Sequence, residues 1–142
     1  ILSSTNRSQR GIIMAVTHTT AIRNGATDYV TGQLGASPRL VFRLTGTVSA
    51  PGTAVATLVM SATPFGAASA GTATANAITS DTNATGNASP VATATLQTSG
   101  GTVCVHCAVA ASASDIVMTN GLTVAAGDTV SCSSLTYTAL SA

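Results

Sequence analysis

Arg39-Leu40-Val41-Phe42-Arg43-Leu44, directly after Pro38, is where the hydrophobic period of this chain changes. Before it, across residues 17–34, Ala21, Ile22, Ala26, Tyr29, Val30 and Leu34 recur at steps of three and four, which is the spacing of one helical stripe. After it, alternation and β-branching take over. Residues 39–44, 54–60, 72–78, 91–96, 103–110, 115–118 and 129–139 read as about seven strands. Turn-forming groups separate them: Pro51-Gly52, Pro64-Phe65-Gly66, residues 83–90, Gly100-Gly101, Asn120-Gly121 and Gly127-Asp128.

The helix has a start signal at Thr19 or Thr20 and a stop at Gly35 followed by Pro38. Gly25 and Gly32 weaken it by propensity, so it must be held by packing its stripe onto something. A run of short strands behind one helix predicts a mainly β fold. The expectation is an antiparallel β-sandwich of about seven strands, with the N-terminal α-helix over an end or an open face. In residues 72–78 alanine alternates with threonine, which gives one small face suited to close approach and one face wetted by hydroxyls. Strand edges without lysine gatekeepers are aggregation hazards in a free monomer. This favours a subunit whose edges are covered in an assembly.

Composition points the same way. Lysine and glutamate are absent; the five cations are all arginine and the four carboxylates all aspartate. Charged residues make up 6% of the chain, against roughly a quarter in ordinary globular proteins. The titratable supply is therefore Asp28, Asp81, Asp115, Asp128, His18, His106 and three cysteines, a poor stock for general acid-base catalysis. The chain reads as non-enzymatic, and no catalytic, cofactor-binding or metal-ligating residue is nominated. The length fits one domain. Its core must be thin and built from Val, Leu and Ile, because there is no Trp and only two Phe and two Tyr.

The net charge is +1, and all five arginines fall within the first 43 residues. That gives no phosphate-binding stripe, so nucleic acid is excluded as a partner. No stretch approaches the 18 or so apolar residues of a membrane span, and residues 1–13 lack the apolar core of a signal peptide. Gln9-Arg10-Gly11-Ile12-Ile13 before Met14 can be back-translated to place a purine-rich ribosome-binding sequence just ahead of a start codon. Residues 1–13 are accordingly read as an N-terminal extension, with translation beginning at Met14, and residues 14–142 as a single helix-plus-sandwich domain. The alternative is a genuine arm that reaches a neighbouring subunit. A start at Met14 leaves three arginines against four aspartates.

Several motifs invite chemistry and carry little. Cys104-Val105-His106-Cys107 has redox or zinc-like spacing, with Cys132 as a further thiol. On a strand, however, period two sends Cys104 and His106 to one face and Cys107 to the other. The expectation is three structural cysteines and no disulfide framework. Residues 81–86 follow the opening of a calcium loop, but the closing glutamate is missing because Ala92 occupies the twelfth position, so a polar turn is expected. Asn83-Ala84-Thr85 and Asn87-Ala88-Ser89 match the glycosylation pattern, which matters only in a eukaryotic secretory chain. His106, Asp115 and a serine could be combined on paper, but no G-x-S-x-G elbow accompanies them. Arg39 and Arg43 share one face of a strand, as a solvated pair or as a docking contact to acidic groups.

From Met14 onward the chain resembles a group of small virion structural proteins of tailed bacteriophages. The matching pattern is Met14-Ala15-Val16-Thr17, the helix through Arg23-Asn24, Leu40-Val41-Phe42, Ala56-Thr57-Leu58 and Pro64-Phe65-Gly66. It continues through Gly71-Thr72-Ala73-Thr74-Ala75, Ala77-Ile78-Thr79-Ser80-Asp81-Thr82, Asp115-Ile116, Ala126-Gly127, Thr129-Val130-Ser131 and Thr136-Tyr137-Thr138. Cys104, Cys107 and Cys132 are a departure from that pattern. The resemblance implies a capsid decoration or cement protein, made in the bacterial host cytoplasm and located on the capsid surface of the virion. Its implied partners are the major capsid protein and copies of itself in a homo-oligomer, with no nucleic acid, membrane or cofactor. A tail or surface-fibre adhesin module is the alternative, disfavoured by the scarcity of aromatic residues that a glycan platform needs.

Overall fold

A computed structural model describes residues 16–141. The extension 1–13 and the start at Met14 lie outside the described residues. Helix α1 (Thr20–Gln33) begins at Thr19, whose hydroxyl accepts the Ile22 N–H at 3.4 Å. It ends at Leu34, and Gly35 follows with φ 69°, a left-handed conformation that glycine adopts without strain.

Eight strands follow: β1 (Arg39–Arg43), β2 (Ala54–Met60), β3 (Thr72–Thr74), β4 (Ile78–Thr79), β5 (Thr93–Gln97), β6 (Val103–Ala110), β7 (Ile116–Val117) and β8 (Thr136–Thr138). They do not form the expected seven-stranded antiparallel sandwich. Six make one mixed sheet in the order β4-β2-β1-β5-β6-β7, antiparallel except for the parallel β6–β7 pair, while β3 and β8 form a separate two-stranded ribbon. Register shifts at Phe42/Arg43 against β2 and at Leu96/Gln97 against β6 are bulges, which raise the local twist and curl the sheet.

Two expected strands break for identifiable reasons. In 72–78, Ala75 bridges to Phe65, and Asn76 donates its N–H to the Pro64 carbonyl and its amide to the Thr63 carbonyl. The Pro64 turn thereby captures the middle of the segment and sends its halves, β3 and β4, into different sheets. In 129–139 only Val130 and β8 pair, Val130 forming an isolated bridge with Asp81. Between them the Cys132 thiol donates to the Ser134 carbonyl and the Leu135 carbonyl accepts the Ala75 N–H.

The core lies on one face of the large sheet. Leu40 sits opposite Leu58 and Leu96, and Phe42 opposite Ala56 and Ala94, all buried. Ala73 of β3 together with Leu34, Phe65, Ala84, Val124 and Val130 covers them.

Helix α1 packs against β3 and β8, at the end of the ribbon, mainly through polar side chains; of its apolar stripe only Leu34, at the C-terminal cap, is fully buried, with Ala26 and Val30 half-buried. Thr27 and Thr31 are its buried residues, whereas Ile22 and Tyr29 are 56% and 68% exposed. Thr27 Oγ1 donates to the Gly71 carbonyl at 2.6 Å and accepts the Ala139 N–H at 3.1 Å. Arg23 donates to the Ala70 carbonyl, Asn24 accepts the Gly71 N–H, and Asp28 accepts the Ala68 N–H. The cause is the surface being met. The turn leading into β3, with Ala70 and Gly71 at φ 52° and 88°, presents backbone donors and acceptors, and buried backbone groups must be paired. A polar helical face satisfies them; an apolar one would leave them orphaned.

Candidate functional site

The four aspartates are each tied to backbone N–H groups. Asp28 holds Ala68 at 2.7 Å, Asp115 holds Ala108 at 2.9 Å and Asp128 holds Ala125 at 2.8 Å. Asp81 uses both oxygens, accepting Asn83 N–H at 3.0 Å and Thr57 N–H at 2.8 Å. In the calcium-like segment the Asp81 carboxylate thus closes a local turn at Asn83 and also caps an N–H of β2. Among the described residues, no group of three or more His, Cys, Asp or Glu side chains is gathered as a metal site would require.

The Cys104–Cys107 segment differs from its sequence reading. Val103 pairs with Gln97 and Val105 with Leu96, which leaves Cys104 as the extra residue of a bulge. Alternation is interrupted there, so Cys104 and Cys107 both pack against the core, where strict period two would have put them on opposite faces. They are nonetheless held apart by different partners: the Cys104 thiol donates to the Gln33 carbonyl and the Cys107 thiol to the Ala94 carbonyl. Cys104, Cys107 and Cys132 are all free thiols. Asp115 is bonded to Ala108, and His106 Nε2 is buried without a hydrogen-bond partner, so the pair does not form the hydrogen-bonded base and orienting acid of a triad.

Burial, followed by the charge of Asp115, pushes the Cys107 thiol from its ordinary value of 9.0 up to about 11. The folded state thus holds this proton more tightly than the unfolded state does. Its contribution to stability is complete below about pH 9 and is lost as pH rises toward 11. After allowance for solvent screening we expect a loss of about 1–2 kcal/mol between pH 8 and pH 10.5. Urea midpoints at the two pH values measure it, and Cys107→Ala should remove the Cys107 part of the slope.

The face of the large sheet turned away from the core carries a polar cluster. Arg43 Nε donates to Thr95 Oγ1 at 3.0 Å, its Nη2 to Gln97 Oε1 at 2.8 Å and its Nη1 to the Gly52 carbonyl at 2.8 Å. Thr95 Oγ1 in turn donates to Gln97 Oε1 at 3.1 Å, closing a three-residue ring. Val41, Thr95 and Gln97 are buried beneath this arrangement. Cross-strand register places Arg39 opposite Gln97, and His106 opposite Thr95, so both lie on the same face. Burial lowers the pKa of Arg43 from its ordinary value; a guanidinium remains cationic at neutral pH regardless. This cluster was only half visible in the sequence. The shared face of Arg39 and Arg43 was read, but Thr95, Gln97 and His106 join it through strand pairing that no local pattern encodes.

A second feature is a cleft of about 460 Å³ between β7 and the loops that follow it. Phe42 and Val124 contribute apolar lining, and Asp115, Asp128, Thr119 and Ser133 are among its polar lining groups. Exposed apolar side chains are Val16, Ile22 and Tyr29 on or beside the helix, Val48 in the β1–β2 loop, Val59 on β2 and, in the lining of the cleft, Val117 on β7. No described helix is long and apolar enough to cross a membrane. Comparison with protein-family models, curated proteins and solved structures returns no match.

Proposed function

We propose that the chain is a non-enzymatic structural subunit of a bacteriophage particle, a capsid decoration or cement protein that binds the major capsid lattice in many copies. The resemblance from Met14 onward supplies the class. The observation that carries an assembly role is the outer side of the helix: Arg23, Asn24, Thr27 and Asp28 bond the protein's own backbone, while Ile22 and Tyr29, two turns apart on the same side, face solvent. The use of all four aspartates as backbone staples supports a scaffold rather than a catalyst. Many weakly charged contacts of this kind would act together through copy number and avidity.

The adhesin reading draws on the cleft beside β7. Its one aromatic lining residue is Phe42, whose ring is 3% exposed and offers no stacking platform for a sugar. Proteomics and cryo-electron microscopy of purified particles test the main reading. The expected result is regular density on the head lattice at high copy number. Density confined to tail fibres would favour the adhesin, and a chain absent from particles would overturn both.

A further inference from the structure

We infer that the outer face of the six-stranded sheet, around Arg39, Arg43 and His106, receives a carboxylate from an acidic segment of a different protein. In the reading above, on which the inference rests, that protein is the shell subunit.

The argument starts from charge. Two arginines and an imidazole share this face, and the side chains bonded to Arg43 are a threonine and a glutamine, both neutral. Asp81 accepts an N–H of β2 and Asp115 an N–H of β6. Cys104 and Cys107 pack against the core on the other face. Among the described residues, the outer face therefore carries two arginines with no acidic side chain bonded to Arg43.

Hydrogen bonding makes the same point. A guanidinium has five N–H donors. Arg43 commits three, one from each nitrogen, which leaves one on each terminal nitrogen. His106 Nε2 is buried and has no partner, an unfavourable arrangement for a polar group unless something bonds to it. Arg43 reaches across β5 to Thr95, and His106 stands directly opposite Thr95 on β6, so the two flank the same residue. A planar carboxylate suits a guanidinium held in fixed orientation, because two parallel N–H···O bonds can form. Exposed Arg39, opposite Gln97, adds a second charge at the approach.

A different protein is the favoured source: in a second copy of this chain Asp28, Asp81, Asp115 and Asp128 each already hold a backbone N–H of their own chain, so none could bond here without sharing that contact. Nucleic acid is the less suitable anion, since two arginines on one strand make no stripe along which successive phosphates could be neutralised.

The test uses the full chain and a hexaglutamate peptide in low-salt buffer, read by NMR of the arginine Nε–H and His106 ring signals. Expected are saturable shifts at Arg43 and His106, at least tenfold weaker binding in Arg39→Glu, and weakening as salt shortens the screening length. Arg39 is exposed, so this variant keeps the fold; Arg39→Gln should fall between the two. Absence of saturation, unchanged affinity in Arg39→Glu, or tighter binding of a single-stranded oligonucleotide to the same signals each overturns the inference. Particle occupancy separates it from the functional reading. A chain missing from particles defeats that reading and leaves the peptide result standing, whereas occupancy unaffected by Arg39→Glu defeats the docking face alone.

Discussion

Phe42→Ala should lower the unfolding free energy by about 3–5 kcal/mol. The ring is 3% exposed in the middle of β1, and its cross-strand neighbours are Ala56 and Ala94, both buried and both small. Neither can swing into the space the ring vacates, so the site collapses poorly and the loss sits toward the upper end. The chain has only two phenylalanines, and the second, Phe65, lies in the loop before β3, so nothing of similar bulk replaces it. Against a total stability of about 5–15 kcal/mol for an ordinary domain, the variant should approach the unfolding threshold. Urea denaturation measures the loss directly, and a change below about 1 kcal/mol would contradict this picture of the core. Because Phe42 also lines the cleft beside β7, partial collapse should alter that cleft as well.

The same residue shows how far local patterns carry. The alternation of Leu40 and Phe42 with Arg39, Val41 and Arg43 was legible, because side-chain direction in a strand depends only on sequence parity. β2 was legible to the residue for the same reason. The sheet's membership was not. Whether residues 72–78 stay one strand depends on Pro64 and Thr63, which accept hydrogen bonds from Asn76 across a loop. Parity also fails at a bulge: strict alternation separates Cys104 from Cys107, but one extra residue in β6 faces the Leu96–Gln97 step and both pack against the core. For the candidate docking face, Arg39 and Arg43 could be read as a pair, but His106 joins them only through the β5–β6 register, a long-range property.

The charge depletion takes on a more specific meaning in the fold. Arg23 and Arg43 bond backbone carbonyls, and each aspartate bonds backbone N–H groups. Such bonds are charge-assisted and stronger than neutral ones. Few ionised groups are present, and Arg23, Arg43 and the four aspartates all tie backbone segments together. Asp28, Asp81, Asp115 and Asp128 each fasten a different segment.

Thr27→Val should cost about 2–4 kcal/mol, even though it replaces one β-branched residue with another of nearly the same shape. Thr27 is fully buried, and its hydroxyl is the hub of the helix seam, donating to the Gly71 carbonyl and accepting from the Ala139 N–H. Valine keeps the packing and removes both bonds, leaving a donor and an acceptor without a partner, at about 1–3 kcal/mol each. Thr27→Ser should recover most of the loss, since the hydroxyl remains. Ile22→Ser and Tyr29→Ser should stay within about 0.5 kcal/mol of the parent, as exposed positions away from such features usually do. Thermal or urea unfolding of the four variants decides between two ways of holding a helix. If Ile22→Ser and Tyr29→Ser were the damaging changes and Thr27→Val the silent one, the apolar stripe would be the anchor after all, and the outward-facing surface on which an assembly role rests would not exist. The expected order is the reverse, because a carbonyl and an N–H buried at the end of the β3–β8 ribbon cost more to abandon than two exposed side chains cost to trim.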